Sequence, residues 1–159
     1  METPKTIHHF RTNQYRVFLA EPYFKLNLEK EIKWHEEHLR KLRILEKNPK
    51  IFHSSRTSHD IDEHRVRHFN EHVTESIPFH EKILDDHKTR LKTILEMVPE
   101  KTYRKLHSLC VKFDAAPDYF VFDKLAKKFF FVIDRPTEEK KKFSKFVEKK
   151  RLCDVLFLE

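Results

Sequence analysis

The sequence predicts an α+β protein in which an N-terminal helical hairpin is joined to a small mixed β-sheet, and three observations carry that prediction. Over residues 27–98 apolar side chains recur at spacings of three and four, the period of helices with one buried face. Over residues 119–134 two aromatic and β-branched runs flank a charged turn, the pattern of a β-hairpin. A capped helix and a last apolar run follow, and strand, helix, strand returning to one sheet implies a right-handed parallel crossover.

In chain order, residues 1–26 read as a tether, with residues 16–19 open between a strand and a short helix ahead of Glu21-Pro22. Asn27 caps a helix whose Leu28, Ile32, His35, Leu39, Leu42 and Leu45 share one face, ending near Asn48-Pro49. Trp34 lies off that stripe. Residues 49–58 are a loop by composition, and Ser58 or Asp60 caps the next helix, which carries Ile61, Val66, Phe69, Val73 and Ile77. Pro78 predicts a break or kink, because it removes an amide and disfavours helix at Ile77. The pattern resumes through Phe79, Ile83, Leu84, Leu91, Ile94, Leu95 and Val98, so residues 28–47 lie against 60–97 as a hairpin within a helical region of residues 27–98.

Histidine is concentrated in these helices: His35, His38, His64, His68, His72, His80 and His87. The set His64, His68, His72 repeats every four residues, a spacing that can chelate zinc. Glu63, Glu71 and Glu75 are interleaved with it and no Glu-x-x-His pair occurs, so the set reads first as a polar helix face bordering the core.

Pro99-Glu100 opens a helix with Tyr103, Leu106, Leu109, Cys110 and Phe113 on its buried face, and it delivers the chain to Ala115-Ala116-Pro117-Asp118. Strands over residues 119–123 and 129–134 are joined by Lys124-Leu125-Ala126-Lys127-Lys128. Thr137 caps the following helix, with Glu138 and Glu139 at its positive end, Lys149, Lys150 and Arg151 at the other, and Phe143, Phe146 and Val147 on one stripe. Residues 154–158 are the last strand.

Pro117-Asp118 leading into Tyr-Phe-Val-Phe, a second strand ending in Arg135-Pro136, a Lys-rich helix and a short final strand resemble the PD-(D/E)xK nuclease superfamily, and most of all its virus-type replication-repair nuclease branch. The resemblance implies a restriction-endonuclease-like core over residues 99–159. In such enzymes the Asp of Pro-Asp and an acid on the next strand hold Mg²⁺, and a Lys two residues after that acid helps to activate water. The motif is degenerate here: Val132 stands at the Glu position, Asp134 at the Lys position and Ala116 where the family has Gly. Residues 132 and 134 share a sheet face. A relocated Mg²⁺ site would therefore use Asp118 and Asp134 as ligands, with Lys140 or Lys141 as the catalytic cation.

Composition narrows the function further. Over residues 124–151, 11 basic residues stand against four acids, a net of +7 that equals the formal charge of the whole chain. That is the footprint of a phosphate-binding surface, with Lys124, Lys127, Lys128, Arg135, Lys140, Lys141 and Lys145 as contacts, or of a solvated lysine face. Glycine is absent, which excludes glycine-rich phosphate loops and a nucleophile elbow, and predicts turns built from non-glycine residues at positive φ. Cys110 and Cys153, without C-x-x-C spacing, read as buried thiols in a reducing, cytoplasmic compartment. No apolar run spans a bilayer, so no membrane partner is expected. The expectation is a nucleic-acid-binding protein, DNA ahead of RNA, with a nuclease-like core whose metal site is lost or relocated. Its alternatives are an active Mg²⁺-dependent nuclease and a helical module that forms a homodimer or binds a protein partner.

Overall fold

The computed structural model describes residues 4–47 and 63–158. The chain forms two compact units, Met1–Asn27 with Arg90–Glu159, and Leu28–Thr89.

The first unit is built on a four-stranded mixed sheet, β1 (Tyr15–Leu19), β2 (Tyr119–Asp123), β3 (Lys128–Ile133) and β4 (Asp154–Phe157), in that spatial order. β1, β2 and β3 form an antiparallel meander, and β4 lies parallel to β3. The N-terminal residues therefore do not hang as a tether: Tyr15–Leu19 is the edge strand, paired from Tyr15↔Asp123 to Leu19↔Tyr119. Ahead of it a short 3₁₀ turn, Ile7–Phe10, covers one sheet face, where Ile7 and Phe10 pack with Val121, Val132 and Leu158.

Strand alternation sends Phe120 and Phe131 to the opposite face. There the helix α1 (Glu21–Phe24) brings in Phe24, whose ring centroid lies 4.9 Å from Phe131 and 5.5 Å from Phe120. Phe24, Phe120, Phe131 and Phe143 are all fully buried. Burial of such rings is the dominant stabilising term of a small domain. Two polar contacts fix α1 against α4 (Glu100–Phe113): the Tyr103 hydroxyl donates to the Tyr23 carbonyl at 2.7 Å, and a His107 ring nitrogen to that of Phe24 at 2.6 Å. The helix α5 (Glu138–Lys149) buries Phe143, Ser144 and Val147, and its Thr137 cap accepts from the Lys140 amide at 3.1 Å. Among the described residues three non-glycine residues stand at positive φ, Asp114 at 46°, Lys127 at 54° and Arg151 at 53°, as a chain without glycine must allow.

The second unit is an antiparallel pair from α2 (Leu28–Lys47) and α3 (Glu63–Met97), whose last turns, from Arg90, belong to the sheet unit. Leu39 and Leu42 pack with Val73, Ile77 and Leu84, while Trp34 and Phe79 are exposed. The break expected at Pro78 does not occur, and α3 runs through it. One proline removes a single amide bond, and here the ring is on the exposed side of a helix held by Val73, Ile77 and Leu84. The loop expected over residues 49–58 and the Ser58 or Asp60 cap lie outside the described residues.

Candidate functional site

α4 ends on left-handed Asp114, and the buried Ala115, Ala116 and Pro117 then carry the chain to Asp118 at the mouth of β2. The Asp118 backbone is held from both sides: its amide donates to the Val132 carbonyl at 3.1 Å, and its carbonyl accepts from Ala20 at 3.3 Å. This presents the carboxylate to the start of the β3–α5 connection. Its Oδ2 accepts from the amides of Asp134 and Arg135 at 2.8 and 2.9 Å, and its Oδ1 accepts from Lys140 Nζ at 2.8 Å. The same ammonium also donates to the Arg135 carbonyl at 3.0 Å. Burial alone would push the Asp118 carboxyl up; the Arg135 amide, Lys140 and the Asp134 amide outweigh it and hold the carboxyl below its ordinary value.

Asp118 and Lys140 are thus brought together, but Asp134 joins them only through its backbone amide. The Asp134 side chain is exposed, and Val132, at the Glu position of the motif, is fully buried among Ile7, Phe10, Val121 and Leu158. This donor set does not suit Mg²⁺. Three of about four acceptor positions on Asp118 are taken, and the cation already paired with it is an ammonium. Beside the pair lies an open cleft of about 950 Å³, lined also by Glu21, Lys25, Arg90, Asp114 and Glu139. Lys25 pairs with Asp114 at 3.6 Å. Among the described residues, the acids of this cleft do not converge into a group able to hold a metal.

The expected phosphate contacts divide between the two ends of the sheet. Lys124, Lys127 and Lys128 are exposed at the tip of the β2–β3 hairpin, where Asp123 Oδ1 accepts from the amides of Leu125 and Ala126 and braces the turn. Because β4 is parallel to β3 and starts with Asp154 opposite Phe130, the connection that feeds it reaches the same end. That connection carries Lys149, Lys150 and Arg151, all exposed. From the sequence these three counted toward the basic run and as complements to a helix dipole but were not named as contacts; the parallel register is the signal that joins them to the hairpin. Arg135, Lys140 and Lys141 lie at the other end, Lys140 half-buried against Asp118 and Lys141 paired with Glu138 at 3.7 Å, and Lys145 lies midway along α5.

Neither cysteine sits where a thiolate is favoured. Both are free, burial pushes the Cys110 thiol up to about 12, and burial also raises that of Cys153. In the helical unit His68 and His72 are exposed, and the His64 side chain lies outside the described residues. The histidines that α2 and α3 bring together are instead His35, His38, His80 and His87. No helix among the described residues is long and apolar enough to cross a membrane. No protein family, curated protein or solved structure matches the chain.

Proposed function

We propose that the protein binds nucleic acid through the basic end of its sheet, on a nuclease-like fold whose strand-borne metal centre has been lost. A meander of three strands, a helical crossover to a parallel fourth and a Pro-Asp pair entering β2 support the nuclease-like part. Val132 in the core, and Asp118 engaged with two amides and Lys140, support the loss of the centre.

The observation that carries the binding reading is the gathering of Lys124, Lys127, Lys128, Lys149, Lys150 and Arg151 at one end of the sheet. Among the described residues none of the six is in an ion pair, and the nearby Asp123 is engaged by turn amides. Cations without partners attract a phosphate backbone with little readout of bases.

The test is fluorescence anisotropy with labelled single- and double-stranded DNA and RNA across a salt series, with Mg²⁺ and Mn²⁺ present and cleavage read from the same samples. The triple variant K124E/K127E/K128E is expected to bind at least tenfold more weakly, and the slope of log K against log salt is expected to flatten by about 0.9 for each duplex phosphate no longer neutralised. Binding equal to that of the parent overturns the basic end as the interface. Metal-dependent cleavage that disappears in D118N overturns the loss of the metal centre.

A further inference from the structure

The second unit carries a cluster that the nucleic-acid reading does not use. Glu31 and His35 are four residues apart on α2, and His80 and His87 seven apart on α3, so each pair shares a helix face. Two ion pairs set the antiparallel alignment that brings these faces together, Glu36 with Lys88 at 3.8 Å and Arg43 with Glu81 at 3.2 Å. His35 then presents both ring nitrogens to partners: Nε2 lies 3.8 Å from the Glu31 carboxylate, and Nδ1 lies 3.0 Å from Nδ1 of His80. The His87 ring centroid is 5.6 Å from that of His35.

His35 and His87 are only 6% and 8% exposed, and Nδ1 of His87 is buried with no hydrogen-bond partner among the described residues. A buried ring nitrogen without a partner is costly to keep, and His35 stands in an apolar stripe with Leu28, Leu39 and Leu42. A bound ion removes that cost. One ligand atom from each of Glu31, His35 and His87 lies within 4.8 Å of the others. Tetrahedral ligands around zinc stand about 3.3 Å apart, so small side-chain rotations close the site. Two imidazoles and one carboxylate suit zinc rather than Mg²⁺.

We propose that Glu31, His35 and His87 form a zinc site tying α2 to α3, with His80 as a positioning residue hydrogen-bonded behind His35 and water in the fourth coordination place. Ligating through Nε2, His35 donates its Nδ1–H to Nδ1 of His80, and that hydrogen bond fixes the ring orientation and tautomer of His35, the role such outer partners have at histidine-ligated metals.

The experiment uses the full chain, stripped with a chelator and titrated with Zn²⁺ by calorimetry, then with Co²⁺ as an optical probe of coordination. One zinc per chain and the visible spectrum of four-coordinate cobalt are expected. E31Q and H87Q should each weaken zinc binding by a hundredfold or more, while H68A, at an exposed histidine, should bind as the parent does. H80A should bind ten- to a hundredfold more weakly yet keep the four-coordinate spectrum, an outcome that mere loss of packing does not produce. Circular dichroism checks the fold of each variant; because the Glu31 side chain is 42% exposed, E31Q keeps the test decisive if H87Q fails to fold. Parent-like affinity in E31Q, or an octahedral cobalt spectrum with several weak equivalents in the parent, overturns the site.

Discussion

Asp118 works as a clamp between the mouth of β2 and the start of α5. Its carboxylate satisfies two amides of a turn that has no other acceptor for them among the described residues, and it neutralises a lysine with 17% side-chain exposure. Replacement by Ala leaves those donors without a partner and is expected to destabilise the fold by about 1–3 kcal/mol in urea unfolding at neutral pH. D118N should cost less, since its amide oxygen still accepts from Asp134 and Arg135. The pH dependence follows from the depressed carboxyl. Below the ordinary value of 3.8 the unfolded chain takes up the proton more readily than the folded one. The stabilisation is therefore complete above that value and is lost as pH falls through the lower folded one. The gap in stability between the parent and D118N should be constant near neutrality and shrink in acid; a gap that widens in acid would contradict the clamp. Pro-Asp made this residue conspicuous in the sequence, and Lys140 or Lys141 was the cation expected beside it, but the two turn amides that it accepts from were not legible. Lys140 lies 22 positions away, and which of the lysines of α5 reaches Asp118 depends on how the helix packs.

At the scale of elements, periodicity located the helices well because each has one continuous buried stripe. α2 starts at Leu28, the predicted first residue, and is helical to Lys47, the last described residue ahead of Glu63. Two features escaped that signal. β1 is five residues long, and its short run read equally as a strand or a short helix; the strand is what forms, but its partner lies a hundred or more positions away, so its place in the sheet had no local signal. Pro78 is a strong local breaker, yet packing on both sides of it overrides a single missing amide. P78A restores the amide that would bond to the Thr74 carbonyl and is expected to raise stability by about 1–2 kcal/mol, after allowance for the freer unfolded chain. A fall in the urea midpoint would mean that α3 draws stability from the constraint on φ. The metal cluster escaped for a related reason: four-residue repeats within one helix drew attention to His64, His68 and His72, whereas ligands divided between two helices depend on an interhelical register that the sequence does not display.

Across the whole molecule, the sheet unit is discontinuous in sequence, leaving at Asn27 and resuming at Arg90. Leu26 and Arg90 line the same cleft, so the two ends of the break approach one another. The apolar stripe of α3 continues without interruption to Val98, which is why periodicity assigned its last turns to the hairpin; yet Ile94 and Val98, almost fully buried, belong to the sheet unit. The helical pair is thus an insertion between β1 and β2, and the sheet unit keeps its aromatic core without it. Replacing residues 28–89 by a short Gly/Ser linker is expected to leave a cooperatively folding protein with dispersed methyl and aromatic signals by NMR. That protein should keep the salt-dependent nucleic-acid binding of the full chain, because all six cations of the basic end remain, and it should lose zinc binding, because all four metal-site residues are removed. A folded product that no longer binds nucleic acid would move the interface to the helical pair. Loss of cooperative unfolding would instead make the insertion part of the sheet unit's folding core, through the α3 turns that supply Ile94 and Val98.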